Sequence, residues 1–191
     1  MQFDSHILAL LGVTVRLVNA VTPGSDGGRD VVRPTGDVLV DAVAAALANG
    51  GRIPRVDRAS AQTLASVAGA ARVVFDRVAS GDIDAAAGQV NLLLGRTRAR
   101  PRLDHFGDAG WSLHFHGPDD TLAVGWAAGI ASGLALALGS DLAGRLGVCD
   151  APACDRVYVD ASRNSGRRFC STRCQSRVKA AVHRSRTTTS G

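Results

Sequence analysis

The chain has 191 residues, 46% of them hydrophobic and 4% aromatic, and a formal net charge of +5 at pH 7. That length suits one domain with a small appendage, and the apolar fraction is that of a globular protein with a buried core. Asp4 and His6 interrupt the N-terminus and no basic segment precedes the first apolar run, so we expect no secretory signal. We therefore expect a cytoplasmic protein whose cysteines are reduced.

The first hundred residues are predicted to be mainly helical. Ala, Val, Leu and Gly dominate the composition, which favours closely packed helices with small side chains at their contacts. Residues 7–21 fit either a helix or a strand, and the turn-rich residues 23–28 are expected to form a loop. Three helices are then predicted, from Thr35-Gly-Asp37 to about Ala48, from an N-cap at Asp57 to about Ala79, and from Asp82 to a stop at Pro101.

After Pro101 the pattern changes to that of a β-hairpin followed by one very apolar helix. Residues 102–106 and 111–116 are predicted strands, joined by a Gly-Asp-Ala-Gly turn at 107–110. Residues 122–139 carry no charge, so a membrane span has to be considered. Five of these residues are Gly or Ser, and acidic residues flank the segment on both sides. We therefore predict a buried, tightly packed helix and no membrane span.

Four cysteines in the last quarter of the chain form two close pairs. The pairs are Cys-x4-Cys and Cys-x3-Cys, separated by fifteen residues, and they comprise Cys149, Cys154, Cys170 and Cys174. Four thiolates grouped in this way can complete a tetrahedral shell around one zinc ion. The alternatives are a redox pair, plain core thiols, or a switch in which oxidation ejects the zinc.

The residues around these cysteines predict a small treble-clef-like unit. Val157-Tyr-Val159 favours a strand, residues 162–166 form a polar turn, and Ser171 can cap a helix that carries Cys174 and runs to about Ser185. Because so short a segment cannot build its own apolar core, metal binding would supply its folding energy. Residues 188–191 are predicted to be a disordered tail.

The same part of the chain is the most basic. From Arg145 onward there are ten Lys or Arg and three Asp, which gives this part about +7 and leaves about −2 for the first 144 residues. This concentration predicts contacts with double-stranded DNA, whereas a solvated basic face is the simpler alternative. The predicted DNA-binding residues are Arg163, Arg167, Arg168, Arg173, Arg177, Lys179, Arg184 and Arg186.

Several segments resemble a known family. Cys149-Asp-Ala-Pro-Ala-Cys154, Val157-Tyr-Val-Asp-Ala-Ser162, Arg168-Phe-Cys-Ser171 and Cys174-Gln-Ser-Arg177 resemble the CGNR-type zinc finger. Leu17-Val-Asn-Ala-Val21 and Trp111-Ser-Leu-His-Phe115 resemble the ABATE domain that accompanies that finger. The resemblance implies a bacterial, stress-responsive transcription regulator with a DNA-binding finger and a larger sensor domain. The chain departs from the family tetrad at Gln175 and Ser176, which replace Gly and Asn.

A second group of residues gives weaker candidates for ligand binding. His114 and His116 share one face of their predicted strand, and His105 is expected across the hairpin, so a second metal or a general base is possible there. Trp111 and Trp126 suit either core or pocket walls, and Asn19 would orient a ligand or satisfy a local backbone group. The predicted ligand-binding set is Asn19, Trp111, His114 and His116.

Together these patterns predict an α+β protein. Residues 1–144 would form a mainly helical, ABATE-like sensor domain with a small β-hairpin, and residues 145–187 a four-cysteine zinc finger that binds DNA. No nucleophile–base motif, Rossmann fingerprint or phosphate loop is present, so we expect no enzyme. The expected partners are zinc, double-stranded DNA, an unknown small-molecule effector and a second copy in a homodimer. Two alternatives remain, a zinc-stabilised protein- or RNA-binding adaptor and a small-molecule enzyme that uses the hairpin histidines.

Overall fold

The computed structural model describes residues 2–49, 51–105, 110–119 and 121–189, with side chains described from Ile7 to Ser185 in these ranges. Its helices are α1 (Gln2–Val21), α2 (Gly36–Ala46), α3 (Arg58–Ala79), α4 (Ile83–Thr97), α5 (Leu122–Leu138) and α6 (Thr172–Thr189). Its strands are β1 (Gly24–Asp26), β2 (Arg29–Val31), β3 (Arg100–His105), β4 (Trp111–His116), β5 (Leu146–Val148) and β6 (Val157–Val159). The mixture of helices and small hairpins confirms the predicted α+β composition.

The N-terminal caps of α3 and α4 are those that the sequence predicts. The Asp57 carboxylate accepts a hydrogen bond from the Ser60 backbone N–H at 2.7 Å, and Asp82 accepts one from Ala85 at 3.2 Å. Each carboxylate thereby satisfies an N–H group that has no partner within its helix. The first apolar segment, which fitted a helix or a strand, is helical over Gln2–Val21.

Helices α1, α3 and α5 surround the main core. The largest fully buried side chains in it include Leu11, Leu17, Leu64, Phe75, Ile130 and Leu134. A methyl group built on Gly129 or Gly133 of α5 would lie 3.3 or 3.2 Å from the Leu10 side chain, so these glycines let α1 approach closely. The prediction of a buried helix at 122–139 is confirmed. Among the described helices, none has the length and apolarity that crossing a bilayer requires.

The strands form three separate antiparallel pairs, β1–β2, β3–β4 and β5–β6. The β3–β4 hairpin confirms the prediction, with Leu103 opposite Leu113, although Phe106 and residues 107–109 of its turn lie outside the described residues. The prediction of a loop at residues 23–28 is wrong for Gly24–Asp26, which form β1 and pair with β2. Gly27 and Gly28 adopt positive φ angles of 63° and 89°, which are compatible with a tight turn between two three-residue strands.

The β5–β6 hairpin connects the main core to the C-terminal module. Leu146, Val157 and Val159 belong to the same buried cluster as the core helices. Cys149, Cys154 and Cys174 form a second cluster beyond them, with Ala151 and with Phe169, Cys170 and Val178 packed alongside. The predicted domain boundary between residues 144 and 145 stays a prediction. The strands that follow it bury their apolar side chains against the N-terminal helices, so the two parts share one core. Helix α6 runs on to Thr189, and residues 190–191 of the predicted tail lie outside the described residues.

Candidate metal centre

The four cysteine sulfurs converge on one point. The Sγ atoms of Cys149, Cys154, Cys170 and Cys174 all lie within 4.8 Å of one another. Three of the separations are 3.7 Å for Cys154–Cys170, 3.8 Å for Cys170–Cys174 and 3.7 Å for Cys154–Cys174. No disulfide joins these cysteines. The two sequence pairs are therefore brought together as the spacing predicted.

These separations agree with the size of a zinc–thiolate shell. A zinc–sulfur bond of about 2.3 Å places the corners of a tetrahedron about 3.8 Å apart. The three separations given above match that value, whereas a disulfide requires sulfurs about 2.05 Å apart. Softness of the four sulfur donors also suits zinc rather than a hard, oxygen-preferring cation. The four cysteines therefore fit a zinc ion by distance and by donor chemistry.

Backbone N–H groups point at the sulfurs and would stabilise them as thiolates. The Cys170 N–H donates to Cys149 Sγ at 3.4 Å. Burial alone would raise the pKa of the Cys154 thiol, but hydrogen bonds from the backbone N–H groups of Arg156 and Gly27, together with neighbouring thiols, lower it overall. At Cys149 and Cys170, burial dominates and raises the pKa of the thiol. Such outer contacts orient the ligands of a metal site.

Local structure sets the position of each cysteine. The first pair lies on a tight knuckle in which the Cys149 N–H donates to the Arg156 carbonyl at 3.0 Å and Ala153 takes a left-handed φ of 52°. Cys174 lies in the first turn of α6, where its N–H donates to the Ser171 hydroxyl oxygen at 3.3 Å. The predicted cap at Ser171 is thus confirmed.

The β1–β2 hairpin packs directly onto this knuckle, and we call residues 24–31 the clasp. The Gly28 N–H donates to the Ala153 carbonyl at 2.6 Å, and the Ser25 hydroxyl donates to the same carbonyl at 2.7 Å. Ser25 also exchanges two bonds with Asp155, because its N–H donates to the carboxylate and its carbonyl accepts from the Asp155 N–H. The N-terminal part of the chain therefore contributes to the outer contacts of the metal site.

Arg156 joins the knuckle to the C-terminal end of α1. Its side chain is almost fully buried, at 5% exposed, and its guanidinium donates to the carbonyls of Asn19, Thr22 and Pro23. It also pairs with Asp155 at 2.7 Å. Burial would raise the pKa of Asp155, but its bonds to Arg156 and Ser25 and the charge of Arg72 lower it. Sequence reasoning counted Arg156 only as positive charge, since no local pattern identifies its partners.

Asn19 was predicted as a candidate ligand-binding residue, and the structure places it elsewhere. Its side-chain Nδ2 donates to the Val157 carbonyl and its Oδ1 accepts from the Val157 N–H, each at 2.9 Å. The amide thus pairs with β6 as a neighbouring strand would. The alternative prediction, a local backbone partner for Asn19, is right about the kind of group and wrong about its position, because Val157 lies 138 residues away.

Four of the predicted DNA-binding arginines make contacts inside the molecule. Arg167 donates to the carbonyls of Val159, Phe169 and Cys170 and lies over the Tyr158 ring, 5.2 Å from its centroid. Arg177 donates to the Pro152 carbonyl at 2.6 Å. The other two form exposed ion pairs: Arg168 with Asp150 at 2.8 Å and Arg173 with Asp26 at 2.6 Å.

Asp160 orders the loop before the second cysteine pair. Its carboxylate accepts from the Ser162 N–H at 2.8 Å and from the Arg167 N–H at 2.7 Å. The residue is only 3% exposed. Burial would raise the pKa of this carboxyl, but hydrogen bonds with the Ser162 side chain and with the backbone of Arg167 and Ser162, together with the charge of Arg145, hold it below its usual value. The Asp160-x-Ser162 motif therefore has a structural role in positioning Cys170.

The remaining predicted DNA-binding residues lie on the outside. Arg163, Lys179 and Arg184 are exposed, and the side chain of Arg186 lies outside the described residues. From Lys179 to Ser185 every residue of α6 is exposed, so this half of the helix projects beyond the metal site. The structure does not gather all eight predicted residues on one surface.

The predicted ligand-binding histidines lie in another part of the molecule. His114 and His116 line a cavity between α1, β4 and α5, and His116 Nε2 lies 2.6 Å from the Asp104 carboxylate. Trp111 is 69% exposed and packs edge-on against His105, outside the described lining of that cavity. The set of Asn19, Trp111, His114 and His116 therefore does not form one site.

The fold and the thiol cluster define a four-cysteine metal-binding module anchored to a helical body. Residues 145–187 match the family model of the CGNR zinc finger. This match and the sulfur geometry confirm the zinc-finger prediction for the C-terminal module. A comparison with curated proteins gives no match. Similarity of the first 144 residues to the ABATE domain stays a prediction.

Proposed function

We propose that this protein is a DNA-binding transcription regulator in which the zinc finger presents α6 to double-stranded DNA. The observation that carries the proposal is the exposure of every residue from Lys179 to Ser185. A basic helix that does not pack against the body is available for a partner. The major groove of B-DNA, about 12 Å wide, admits such a helix.

The charge of the module supports a nucleic-acid partner. Ten basic residues against three acids lie from Arg145 onward, while the rest of the chain is mildly acidic. Arg163, Lys179 and Arg184 would contact phosphates, and Arg186 continues the same helix. Arg168 and Arg173 would join them by exchanging an exposed carboxylate partner for a phosphate. Arg167 and Arg177 instead act as positioning residues, because they hold the loops that bear the cysteines.

Zinc is the metal we propose for the four thiolates, in a treble-clef-like arrangement of knuckle, hairpin and helix. Cys149, Cys154, Cys170 and Cys174 would hold the ion, which supplies a rigid crosslink and no chemistry of its own. Because Cys174 lies in the first turn of α6, the crosslink fixes the angle at which the helix leaves the body. We propose that the protein has no catalytic role. We also propose that it is cytoplasmic, where a reducing environment keeps the four cysteines as thiolates.

The N-terminal helices would act as the sensor of this regulator. Helix α1 contacts the finger through Asn19, so a change in α1 would reach β6 directly. A single finger offers few contacts to DNA, and a homodimer would multiply its affinity through two half-sites. An RNA- or protein-binding adaptor remains the competing function.

The test is fluorescence anisotropy of labelled duplex DNA at two salt concentrations, with zinc-loaded and chelator-treated protein. The Lys179→Gln/Arg184→Gln variant removes two charges from α6, and Arg33→Gln/Arg55→Gln removes two exposed charges from the body. Removing one bond to a phosphate should reduce the slope of log affinity against log salt by about 0.9. We expect the α6 variant to bind more weakly with a slope lower by about two, and the body variant to bind like the parent chain.

Two results would contradict the proposal. Equal affinities of the two double variants would remove α6 from the interface. Tighter binding to a structured RNA than to duplex DNA of matched length would favour the adaptor.

A further inference from the structure

A cavity of about 740 Å³ lies on the side of α1 that faces α5 and β4. This volume is in the range of about 300–1,000 Å³ that holds drug-sized ligands. Its walls come from elements distant in sequence, with residues of α1, β4 and α5 all contributing. The zinc finger does not contribute to its described lining, so the cavity is a separate feature of the helical body.

Much of the cavity lining is apolar. Leu8, Val13, Leu122 and Trp126 provide its hydrophobic lining, and Gly12, Gly125 and Gly129 leave space where side chains would otherwise project. A methyl group built on Gly125 meets no heavy atom within 4 Å, so this glycine opens directly onto free space. A planar or aliphatic body with few polar atoms would fit against these apolar residues.

Other residues of the lining carry cationic and hydrogen-bonding groups. The Arg16 guanidinium donates through Nε to the Ala46 carbonyl at 3.0 Å and through Nη2 to the Ala48 carbonyl at 3.1 Å. These bonds hold it against the cavity wall, where Nη1 lies 3.7 Å from a methyl group built on Gly12. His114 and His116 also line the cavity.

Asp119 lines the cavity and Asp104 lies beside it through His116, and both carboxylates are already engaged. Asp104 pairs with His116 at 2.6 Å and with Arg102 at 3.0 Å. Asp119 accepts hydrogen bonds from the Thr121 N–H and hydroxyl at the start of α5. Arg16 also lines the cavity. None of the described salt bridges pairs its guanidinium with a carboxylate.

We propose that this cavity binds a small amphipathic anion, with an aromatic or aliphatic body between α1 and α5 and an anionic group at Arg16. The proposal deepens the sensor role in the proposed function, but binding in the cavity requires neither DNA nor the finger. A guanidinium held in a fixed orientation matches a carboxylate or sulfonate through paired N–H donors.

Helix α1 gives such a ligand a direct connection to the finger. Arg16 lines the cavity and Asn19 binds Val157 three residues later on the same helix, about 4.5 Å along its axis. Residues Thr22 and Pro23, which end this segment, accept hydrogen bonds from Arg156 beside the metal site. A ligand that shifted α1 would therefore move contacts that hold the finger.

The first test uses 8-anilinonaphthalene-1-sulfonate, an aromatic anion, and N-phenyl-1-naphthylamine, its uncharged analogue. The Gly125→Leu variant places a side chain in the cavity at a position where free space is available. Leu also has a higher helix propensity than Gly, so the substitution does not disfavour helix α5. Gly88→Leu is the matched control, since Gly88 is exposed on α4 and a methyl group there also meets nothing within 4 Å. We expect saturable binding of the anion, weakened more than tenfold in Gly125→Leu and unchanged in Gly88→Leu.

The location of the probe can be measured independently. In a Trp111→Phe background Trp126 is the remaining tryptophan, so energy transfer from its emission to the bound anion reports proximity to the cavity wall. We expect strong quenching at saturation. Equal anion binding by Gly125→Leu and Gly88→Leu, or saturation without quenching of Trp126, would overturn the proposed site.

The anionic preference is tested with Arg16→Gln. We expect the parent chain to bind the sulfonate at least tenfold more tightly than the uncharged analogue, and Arg16→Gln to lose most of that difference while melting cooperatively. Equal affinities for the two probes in the parent chain would overturn the assignment of an anion. These measurements contain no DNA, so their failure would leave the DNA-binding proposal standing, and the anisotropy test could fail without affecting the cavity.

Discussion

The side-chain amide of Asn19 in α1 pairs with both backbone polar groups of Val157 in β6, at 2.9 Å for each bond. Val157 is fully buried, so water cannot reach its N–H and carbonyl, and none of the described strands lies beside β6 on the side that faces α1. Without Asn19 both groups would have no hydrogen-bond partner. One polar side chain thus completes the edge of the finger hairpin. The finger is therefore joined to the helical body by directional bonds as well as by apolar packing.

We expect Asn19→Ala to destabilise the protein by about 2 kcal/mol, because two backbone groups would be left without partners in a buried setting. Asn91→Ala is the control, since Asn91 is exposed on α4 and gains the same helix propensity from the change. Urea denaturation followed by circular dichroism would give both values. A difference of less than about 0.5 kcal/mol between the two variants would show that the Asn19 pairing does not stabilise the finger.

Removal of the metal should affect the module and spare the core helices. Cys149, Cys154 and Cys174 form a small buried cluster that has few apolar partners of its own, whereas α3 and α5 are packed in the main core. We expect chelation to abolish hydrogen-exchange protection from the knuckle through α6 and to leave protection in α3 and α5. Added zinc should restore it at a ratio of one ion per chain.

Two measurements would contradict this account of the metal site. The first is mass spectrometry of protein purified without chelator. Absence of zinc, together with all four cysteines joined in disulfides, would contradict the proposed metal site. Protection of α6 that persists after complete metal removal would show that the helix is stable without the crosslink. The Cys174→Ser variant provides a second route to the metal-free state, because it removes one of the four ligands.

The sequence predicts local features of this protein well because their causes are local. The capping carboxylates Asp57 and Asp82 and the hydroxyl of Ser171 act on N–H groups three residues away. The cysteine spacing likewise specifies a metal site, because a short knuckle and one helical turn hold each pair of sulfurs close. These features depend on few residues and on nothing distant in the chain.

The clasp and the arginines could not be predicted in the same way. The strands of the clasp are three residues long, and their bonds to Ala153 and Asp155 span about 130 residues of sequence. A charge count treats Arg156 and Lys179 alike, but only the fold shows that Arg156 is buried against backbone carbonyls and Lys179 is exposed. Long-range contacts thus decide which basic residues are exposed and would remain available to the proposed DNA partner.

Gly147 in β5 is a position where the finger tolerates no side chain. A methyl group built there would lie 2.5 Å from Tyr158 Cζ and 2.6 Å from its hydroxyl oxygen. The Tyr158 ring cannot move freely, because its hydroxyl donates to the Arg167 carbonyl at 2.8 Å and Arg167 covers its face. We expect Gly147→Ala to destabilise the module by about 1–3 kcal/mol through overpacking.

Gly144→Ala is the matched control, because a methyl group on Gly144 meets nothing within 4 Å. Zinc affinity, measured by competition with a chromogenic chelator, should fall in Gly147→Ala and stay constant in Gly144→Ala. Equal zinc affinity and equal melting temperature in the two variants would show that Tyr158 can move aside.

The ion pair between Asp26 of the clasp and Arg173 of α6 gives the last prediction. Arg173 donates to Asp26 at 2.6 Å, and this hydrogen bond together with the charge of Asp26 raises the pKa of Arg173. If phosphates bind beside α6, Asp26 competes with them for Arg173. We expect Asp26→Asn to increase affinity for duplex DNA about threefold at low salt, with a salt slope steeper by about one.

Asp30→Asn separates this effect from a general change in charge. Asp30 is exposed on the same hairpin, so its replacement changes the net charge equally without touching the Arg173 pair. Anisotropy titrations at two salt concentrations would compare both variants with the parent chain. If Asp26→Asn and Asp30→Asn bound DNA with the same affinity and salt slope, Arg173 would not contact phosphate. The DNA-facing side of α6 would then be restricted to the half of the helix beyond Val178.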